Sequence, residues 1–358
     1  MRPESLQFLT NYLNNPSPTG FESSGQKLWL DYLAPYIDTW ETDVYGSAIG
    51  IINPDAPYKV VIEAHADEIA WYVSYISDNG YIYLKRNGGS DTMIAPSMRA
   101  NIYTSAGTTV KAVFGWPAIH VRDKAKDEAP TLKNIFLDCG CSSREEVQKL
   151  GIRVGDIVIF EADCMILQEK WLVGRAIDNR IGGFMIAEVA RLLKENGKQL
   201  GFGLYIVNAV QEEVGLRGAA MVASRIQPDV AIITDVTHDT TAPMYDKTAQ
   251  GERACGKGPV LTVAPAVQNN VLRMLADTAE KNEIPVQWTA ASGVTGTDTD
   301  AFAYSGKGIA SALISLALKY MHTTVETVHL DDVENVIKLM YEFVCQLEPN
   351  HDFRYIKK

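Results

Sequence analysis

Ile206-Val207-Asn208-Ala209-Val210-Gln211-Glu212-Glu213-Val214-Gly215-Leu216-Arg217-Gly218-Ala219 sets two adjacent carboxylates directly behind an apolar run. Residues 202–210 are rich in β-branched and aromatic side chains, which suits a buried strand, and Gly215 and Gly218 mark a turn into a helix of small residues. Glu212 and Glu213 are thereby placed at the carboxyl end of a strand, where open α/β sheets bind their ligands. A Glu-Glu pair taken alone is most simply a solvated acidic turn. Three other stretches repeat the arrangement: residues 58–64 run into His65-Ala66-Asp67-Glu68, residues 230–234 into Asp235, and residues 309–318 into Tyr320-Met321-His322.

Outward from these strands the chain reads as a large α/β domain interrupted once. Apolar residues at helical spacing (Leu6, Leu9, Leu13; then Leu28, Leu30, Leu33) predict two opening helices over 3–14 and 22–36. Residues 48–52 and 58–64, separated by a Pro-Asp turn, read as a hairpin feeding a buried strand. From 69 to 163 the texture changes to short alternating segments (81–85, 108–114, 156–161) broken by Gly and Pro, with one helix over 144–150. Helix-rich texture returns after it, so the simplest organisation is a catalytic domain made of 1–68 and 164–358, with a central mixed sheet flanked by helices, and a small β-rich domain, 69–163, inserted into it. Further helices are expected over 181–194, 271–282 and 330–347, and a strand over 285–289.

A formal charge of −11, with no run of Lys or Arg, argues against nucleic acid or an anionic membrane as partner. Five scattered cysteines, an odd number without Cys-x-x-Cys spacing, indicate neither a disulfide framework nor a thiolate metal site. No apolar stretch approaches a membrane span and the N-terminus lacks a signal-peptide core, which predicts a cytoplasmic protein.

His65, Asp67, Asp178, Glu212, Glu213, Asp235 and His322 all fall at strand ends or in the loops beside them. Imidazole and carboxylate ligands without thiolates fit zinc, cobalt or manganese, and five ligands with one carboxylate shared suffice for two ions. Such a pair activates a water and stabilises an oxyanion, leaving one further carboxylate as general base. Each residue also has a plainer reading: Asp178 as a helix cap, Asp235 as a turn residue. Their joint occurrence at several strand ends weighs against it.

His65-Ala66-Asp67-Glu68-Ile69, Ala176-Ile177-Asp178-Asn179-Arg180, Gln211-Glu212-Glu213-Val214-Gly215, Asp235-Val236-Thr237-His238 and Tyr320-Met321-His322, followed by Asp331-Asp332-Val333-Glu334, resemble the motif series of the M42 family of metallo-aminopeptidases. The resemblance runs from Ser17-Pro18-Thr19-Gly20 nearly to the C-terminus. It implies that His65 and Asp235 bind one metal, that Glu213 and His322 bind a second, and that Asp178 bridges them. It further implies Glu212 as general base and Asp67 as the group that orients His65. The inserted region would match a PDZ-like dimerisation domain, and the chain would assemble into dimers and dodecamers that admit short peptides. The Gly296-Thr297-Asp298-Thr299-Asp300-Ala301 loop resembles one near the family's substrate pocket and is assigned no site residue, its doubled Thr-Asp fitting more than one register.

Three other readings use the same residues. A dinuclear deacylase or deacetylase would act on N-acylated amino acids or peptides. A glycoside hydrolase needs only paired acids, which leaves the two histidines without a task. A non-catalytic binding protein on this scaffold would bind metal without turnover.

Overall fold

The computed structural model describes residues 1–122, 128–243 and 245–357. The chain divides into two compact units: Met1–Glu68, Cys164–Met321 and Val325–Lys358 form one, and Ile69–Asp163 with His322–Thr324 the other.

The larger unit is built on an eight-stranded sheet of β1 (Thr39–Thr42), β2 (Ala48–Ile52), β3 (Lys59–His65), β4 (Gly203–Ala209), β5 (Val230–His238), β6 (Val260–Val263), β7 (Gln287–Ala290) and β8 (Ala310–Leu318). They lie in the order β1-β2-β4-β3-β5-β8-β6-β7. The central four, β4, β3, β5 and β8, are mutually parallel, so their carboxyl ends share one edge. Their near-continuous apolar sequences are what a sheet covered on both faces requires. Around them pack α1 (Pro3–Asn14), α2 (Ser23–Leu33), α3 (Ile177–Glu195), α4 (Arg217–Ile226), α5 (Asn269–Lys281) and α6 (Leu330–Gln346).

The expected hairpin between residues 48–52 and 58–64 does not form. β2 pairs antiparallel with β1 on one side and with β4 on the other, so β4 separates it from β3. A strand that arrives some 140 residues later in the chain takes the place that proximity suggested.

α3 is buried along most of its length, and two glycines permit this. A Cβ at Gly182 would lie 2.8 Å from the Ala64 methyl of β3, and one at Gly183 2.8 Å from Asn208 Oδ1 of β4. The Gly183 carbonyl accepts a 2.7 Å hydrogen bond from the Trp29 indole, which ties α2 to α3. The helix is thus held directly against the strands whose ends carry His65 and Glu212.

The smaller unit is a closed barrel whose strands, in order around it, are Ala70–Ile76, Ile82–Asn87, Leu137–Asp138, Thr109–Phe114, Arg99–Tyr103 and Ile157–Phe160. It has its own core, with Trp71, Leu84, Ile102, Phe114 and Leu137 among its members. A mixed α/β sheet flanked by helices and a small antiparallel β-rich insertion therefore make up the fold. No helix among the described residues is long and apolar enough to cross a membrane.

Candidate active site

The register of the parallel strands sets the site. His65 is level with Ala209 of β4, and Glu63 with Ile233 of β5, which brings Asp235 to the height of His65. Beyond β4, Gln211 takes a left-handed conformation (φ 58°) and turns the chain into a single 3-10 turn, Glu212–Val214, that Gly215 (φ 118°) ends. The two glutamates are thus folded back across the end of β3 instead of continuing into solvent. Asp178 arrives from the other side, just after the left-handed Ala176 (φ 57°), and its non-helical backbone precedes the regular part of α3. Asn179 fastens this entry to β5, donating from Nδ2 to the Thr234 carbonyl at 2.7 Å. Glu326, itself buried, accepts the Asp178 amide at 3.0 Å.

His65, Asp178, Glu213, Glu212 and Asp235 converge. Ligand atoms of His65, Asp178 and Glu213 lie within 4.8 Å of one another, as do those of His65, Glu212 and Asp235. His65 Nε2 stands 3.3 Å from Asp178 Oδ1, 3.8 Å from Glu212 Oε2 and 3.9 Å from Asp235 Oδ1. On its other nitrogen, Nδ1 is 3.2 Å from the Asp67 carbonyl and 3.4 Å from Asp67 Oδ1.

Asp67, fully buried, also accepts the Glu212 amide at 3.0 Å, the Glu213 amide at 3.2 Å and the Thr19 hydroxyl at 2.8 Å. One carboxylate therefore positions the imidazole and both glutamates. Such supporting groups fix a ligand's orientation and raise its basicity.

The electrostatics describe a place built for a cation. Burial raises Glu212 to about 8, helped by Asp298, Glu213 and Asp178 and opposed by His65. Burial likewise holds Asp235 well above the usual carboxylate range. For His65, burial alone would lower the imidazole, but Glu212, Asp178, Asp67 and Asp235 outweigh it and hold it well above its ordinary value. Gathering carboxylates out of water without an opposing charge is costly, and divalent ions relieve that cost. The donors are nitrogen and oxygen only, a set that suits zinc, cobalt or manganese, and none of the free cysteines belongs to it.

His322 lies on the segment that belongs to the smaller unit, in a left-handed conformation (φ 61°), with its ring over Gly89. A Cβ on Gly89 would come 2.4 Å from its Nδ1. The two ligand groups form without it.

Sequence reasoning passed over one neighbour of the site. Glu63 and Asp298, both essentially inaccessible, meet carboxyl to carboxyl, and among the described residues their oxygens have no other hydrogen-bond partner. Burial raises Glu63 to about 8 and Asp298 well above its ordinary value. A signal existed in Val60-Val61-Ile62-Glu63-Ala64, where a charged side chain interrupts a strand that is otherwise wholly apolar.

A model of the M42 glutamyl aminopeptidase family matches residues 46–339. The lysyl aminopeptidase of Pyrococcus furiosus is 34% identical over 349 residues, 96% of this chain and 97% of the relative. Among solved structures, a TET aminopeptidase from a marine sediment archaeon of the Thaumarchaeota matches with a TM-score of 0.91 at 27% identity, over 97% of this chain and 98% of that one. The Pyrococcus horikoshii TET1 peptidase, which can assemble into a tetrahedron or a large octahedral shell, matches with a TM-score of 0.84 at 25% identity, over 96% and 100% of the two chains. With its motif series, its mixed sheet and its clustered imidazole and carboxylates all in place, the chain belongs to the M42 family of aminopeptidases.

Proposed function

We propose that the protein is a metal-dependent aminopeptidase that removes N-terminal residues from short peptides, with two divalent ions at the strand ends and Glu212 as general base. The observation that carries this reading is the convergence of His65, Asp178, Glu212, Glu213 and Asp235 on overlapping sets of ligand atoms within 4.8 Å. His65 and Asp235 would hold one ion, Glu213 the other, and Asp178 both. His322 is assigned to the second ion on its motif alone. When bound, the ions supply Lewis acidity toward the scissile carbonyl and lower the pKa of a water between them.

The chain's own contribution is proton transfer and positioning. Glu212, held through its amide by Asp67, accepts a proton from the attacking water at its carboxylate and returns it to the leaving amine as the C–N bond breaks. His65 keeps its Nε2 lone pair toward the cluster because Nδ1 faces Asp67. By likeness to relatives that form closed shells, the chain self-associates into dimers and dodecamers, with the inserted barrel as the dimer contact.

Chelator-stripped protein reloaded separately with zinc, cobalt and manganese should cleave free-amine peptides and leave N-acetylated ones intact. Glu212→Gln should lower kcat by roughly 100- to 10,000-fold while metal content stays unchanged. A fully active Glu212→Gln protein would remove that residue from its role, and activity on blocked peptides alone would make the enzyme a deacylase.

A further inference from the structure

In the barrel unit the strand Leu137–Asp138 runs directly into Cys139-Gly140-Cys141, and after two serines the short helix Arg144–Lys149 begins. Two of the chain's five cysteines thus stand with a single glycine between them. Both are free thiols, half-buried, and both pack against the barrel core.

In an extended strand, residues two apart point to one face but lie about 6.6–6.8 Å from each other, the far limit for a disulfide. Here the chain turns. Gly140 takes φ 80°, in the left-handed region that favours glycine, and its amide donates to Asp138 Oδ1 at 2.7 Å. The turn folds Cys141 back on Cys139: the Cys141 amide donates to the Cys139 sulfur, and the two thiols share a hydrogen bond. The hairpin between the first two barrel strands holds this arrangement from outside. A Cβ on its Gly80 would come 2.4 Å from the Cys141 carbonyl oxygen, and its Asp78 accepts the Arg144 amide at 3.3 Å and pairs with the Arg144 guanidinium at 2.8 Å. The approach of the two sulfurs is therefore set by the backbone.

The other cysteines are placed differently. Cys255 Sγ donates to the Ala317 carbonyl at 3.1 Å, Cys164 Sγ to the Thr10 carbonyl at 4.0 Å, and Cys345 lies against the Tyr341 hydroxyl. Two sulfurs do not make a zinc site, which takes four ligands, and neither Cys139 nor Cys141 belongs to a group of three metal-ligating side chains among the described residues. The chemistry open to two touching thiols is oxidation to one disulfide. Closing a ring over a single intervening residue takes little freedom from the unfolded chain, so the bond would serve poorly as a staple. It suits a bond that forms and breaks by exchange with thiols in solution.

We propose that Cys139 and Cys141 form a dithiol modification site, which a low-molecular-weight disulfide of the glutathione type converts to an intramolecular disulfide and which the matching thiol restores. The Cys141 thiolate attacks one sulfur of the incoming disulfide, whose S–S bond breaks to release one thiolate. Cys139 gives up its proton to solvent and displaces the second thiolate from Cys141, which closes the ring. Two electrons pass from the protein to the reagent, which leaves as two thiols after taking up two protons. Cys141 leads because burial, with Cys141 and Asp138 adding to it, raises Cys139 to about 12 and holds it as the thiol. Once Cys141 is in the mixed disulfide it no longer ionises, and one of the groups opposing the Cys139 thiolate is gone. The site lies wholly in the barrel unit, goes beyond the aminopeptidase reading and does not depend on it.

The test equilibrates full-length protein in glutathione buffers running from fully reduced to mostly oxidised, quenches it with acid and alkylates it with N-ethylmaleimide in denaturant. Intact-mass spectrometry should show a species lighter by two hydrogens that takes up maleimide at three of its five cysteines, and peptide mapping should place the bridge at 139 and 141. Excess reduced glutathione should return all five thiols. In Cys139→Ser, Cys141 should keep one glutathione as a stable mixed disulfide, whereas Cys139 in Cys141→Ser should take it up at least about tenfold more slowly. The decisive measurement is on the parent protein, so it stands whether or not either variant folds.

Five reactive thiols at every buffer composition would overturn the proposal. So would glutathione that stays on Cys139 or Cys141 of the parent protein, a bridge mapped to any other cysteine, or a disulfide between two chains on a non-reducing gel. Faster uptake by Cys139 than by Cys141 in the two variants would overturn the assigned order of attack.

Discussion

Replacing Asp67 by Asn tests how the site is held together. The carboxylate accepts the amides of Glu212 and Glu213 at 3.0 and 3.2 Å and the Thr19 hydroxyl at 2.8 Å, and it is fully buried. Asparagine keeps the size but turns one oxygen into a donor, so at least one backbone N–H is left facing another N–H. A buried donor without a partner costs about 1–3 kcal/mol, and the bonds that survive lose the strengthening of a charged acceptor.

His65 is affected less, because Nδ1 is also 3.2 Å from the Asp67 carbonyl, which the substitution leaves in place. The damage should therefore fall on Glu212 and Glu213 rather than on the imidazole's tautomer. Metal affinity should drop about 10- to 100-fold, the usual cost of losing a group that supports metal ligands. On the role proposed for Glu212, kcat should still fall at saturating metal, because its carboxylate would no longer be held in place to take a proton from water. Competition against a metal buffer gives the affinity, and steady-state kinetics at saturating metal give kcat. Affinity within about twofold of the parent and an unchanged kcat would mean that the Glu212–Val214 turn holds its own shape without Asp67.

Two further substitutions probe the scaffold. Glu188, buried on α3, would be raised by burial alone, but Arg191 at 3.0 and 2.8 Å, the Tyr32 hydroxyl and the Ser5 hydroxyl at 2.8 Å outweigh this and hold it below the ordinary range. Because its folded pKa is depressed, its contribution is complete above the unfolded value of about 4.3 and is lost as pH falls through the folded value. Glu188→Gln should therefore cost about 3 kcal/mol at pH 7 and progressively less in acid, read from denaturant midpoints across pH; parallel curves for the two proteins would refute the assignment. For the Glu63 and Asp298 pair, Glu63→Gln keeps a donor for Asp298 and should cost less than about 1 kcal/mol, whereas Glu63→Leu orphans a buried carboxyl and should cost about 3 kcal/mol by the same assay; equal effects would show that the two groups do not depend on each other.

The parts of this fold that could be read in sequence were those where chemistry contradicts its surroundings. Acids and an imidazole directly after apolar strands stood out at His65, Glu212 and Asp235, and in a parallel sheet such ends share an edge. Strand positions followed from apolar texture, but pairing did not. The β2 and β3 segments looked like a hairpin because they are adjacent in the chain, while their actual separation by β4 depends on a contact across some 140 residues that no local pattern encodes. The inserted barrel was legible as a change of texture, since a small closed barrel needs short alternating strands and frequent turns.

Glu63, Asp298 and Arg253 were not legible as a group, and the reason is physical. Glu63 alone departs from its surroundings in sequence, as a charge inside an apolar strand; Asp298, in a loop of repeated Thr-Asp, and Arg253, in a segment without periodicity, do not. The residues proposed to hold metal announce themselves in sequence because several of their kind recur at strand ends, whereas a buried acid or guanidinium that stands alone in its stretch has no such repetition to mark it.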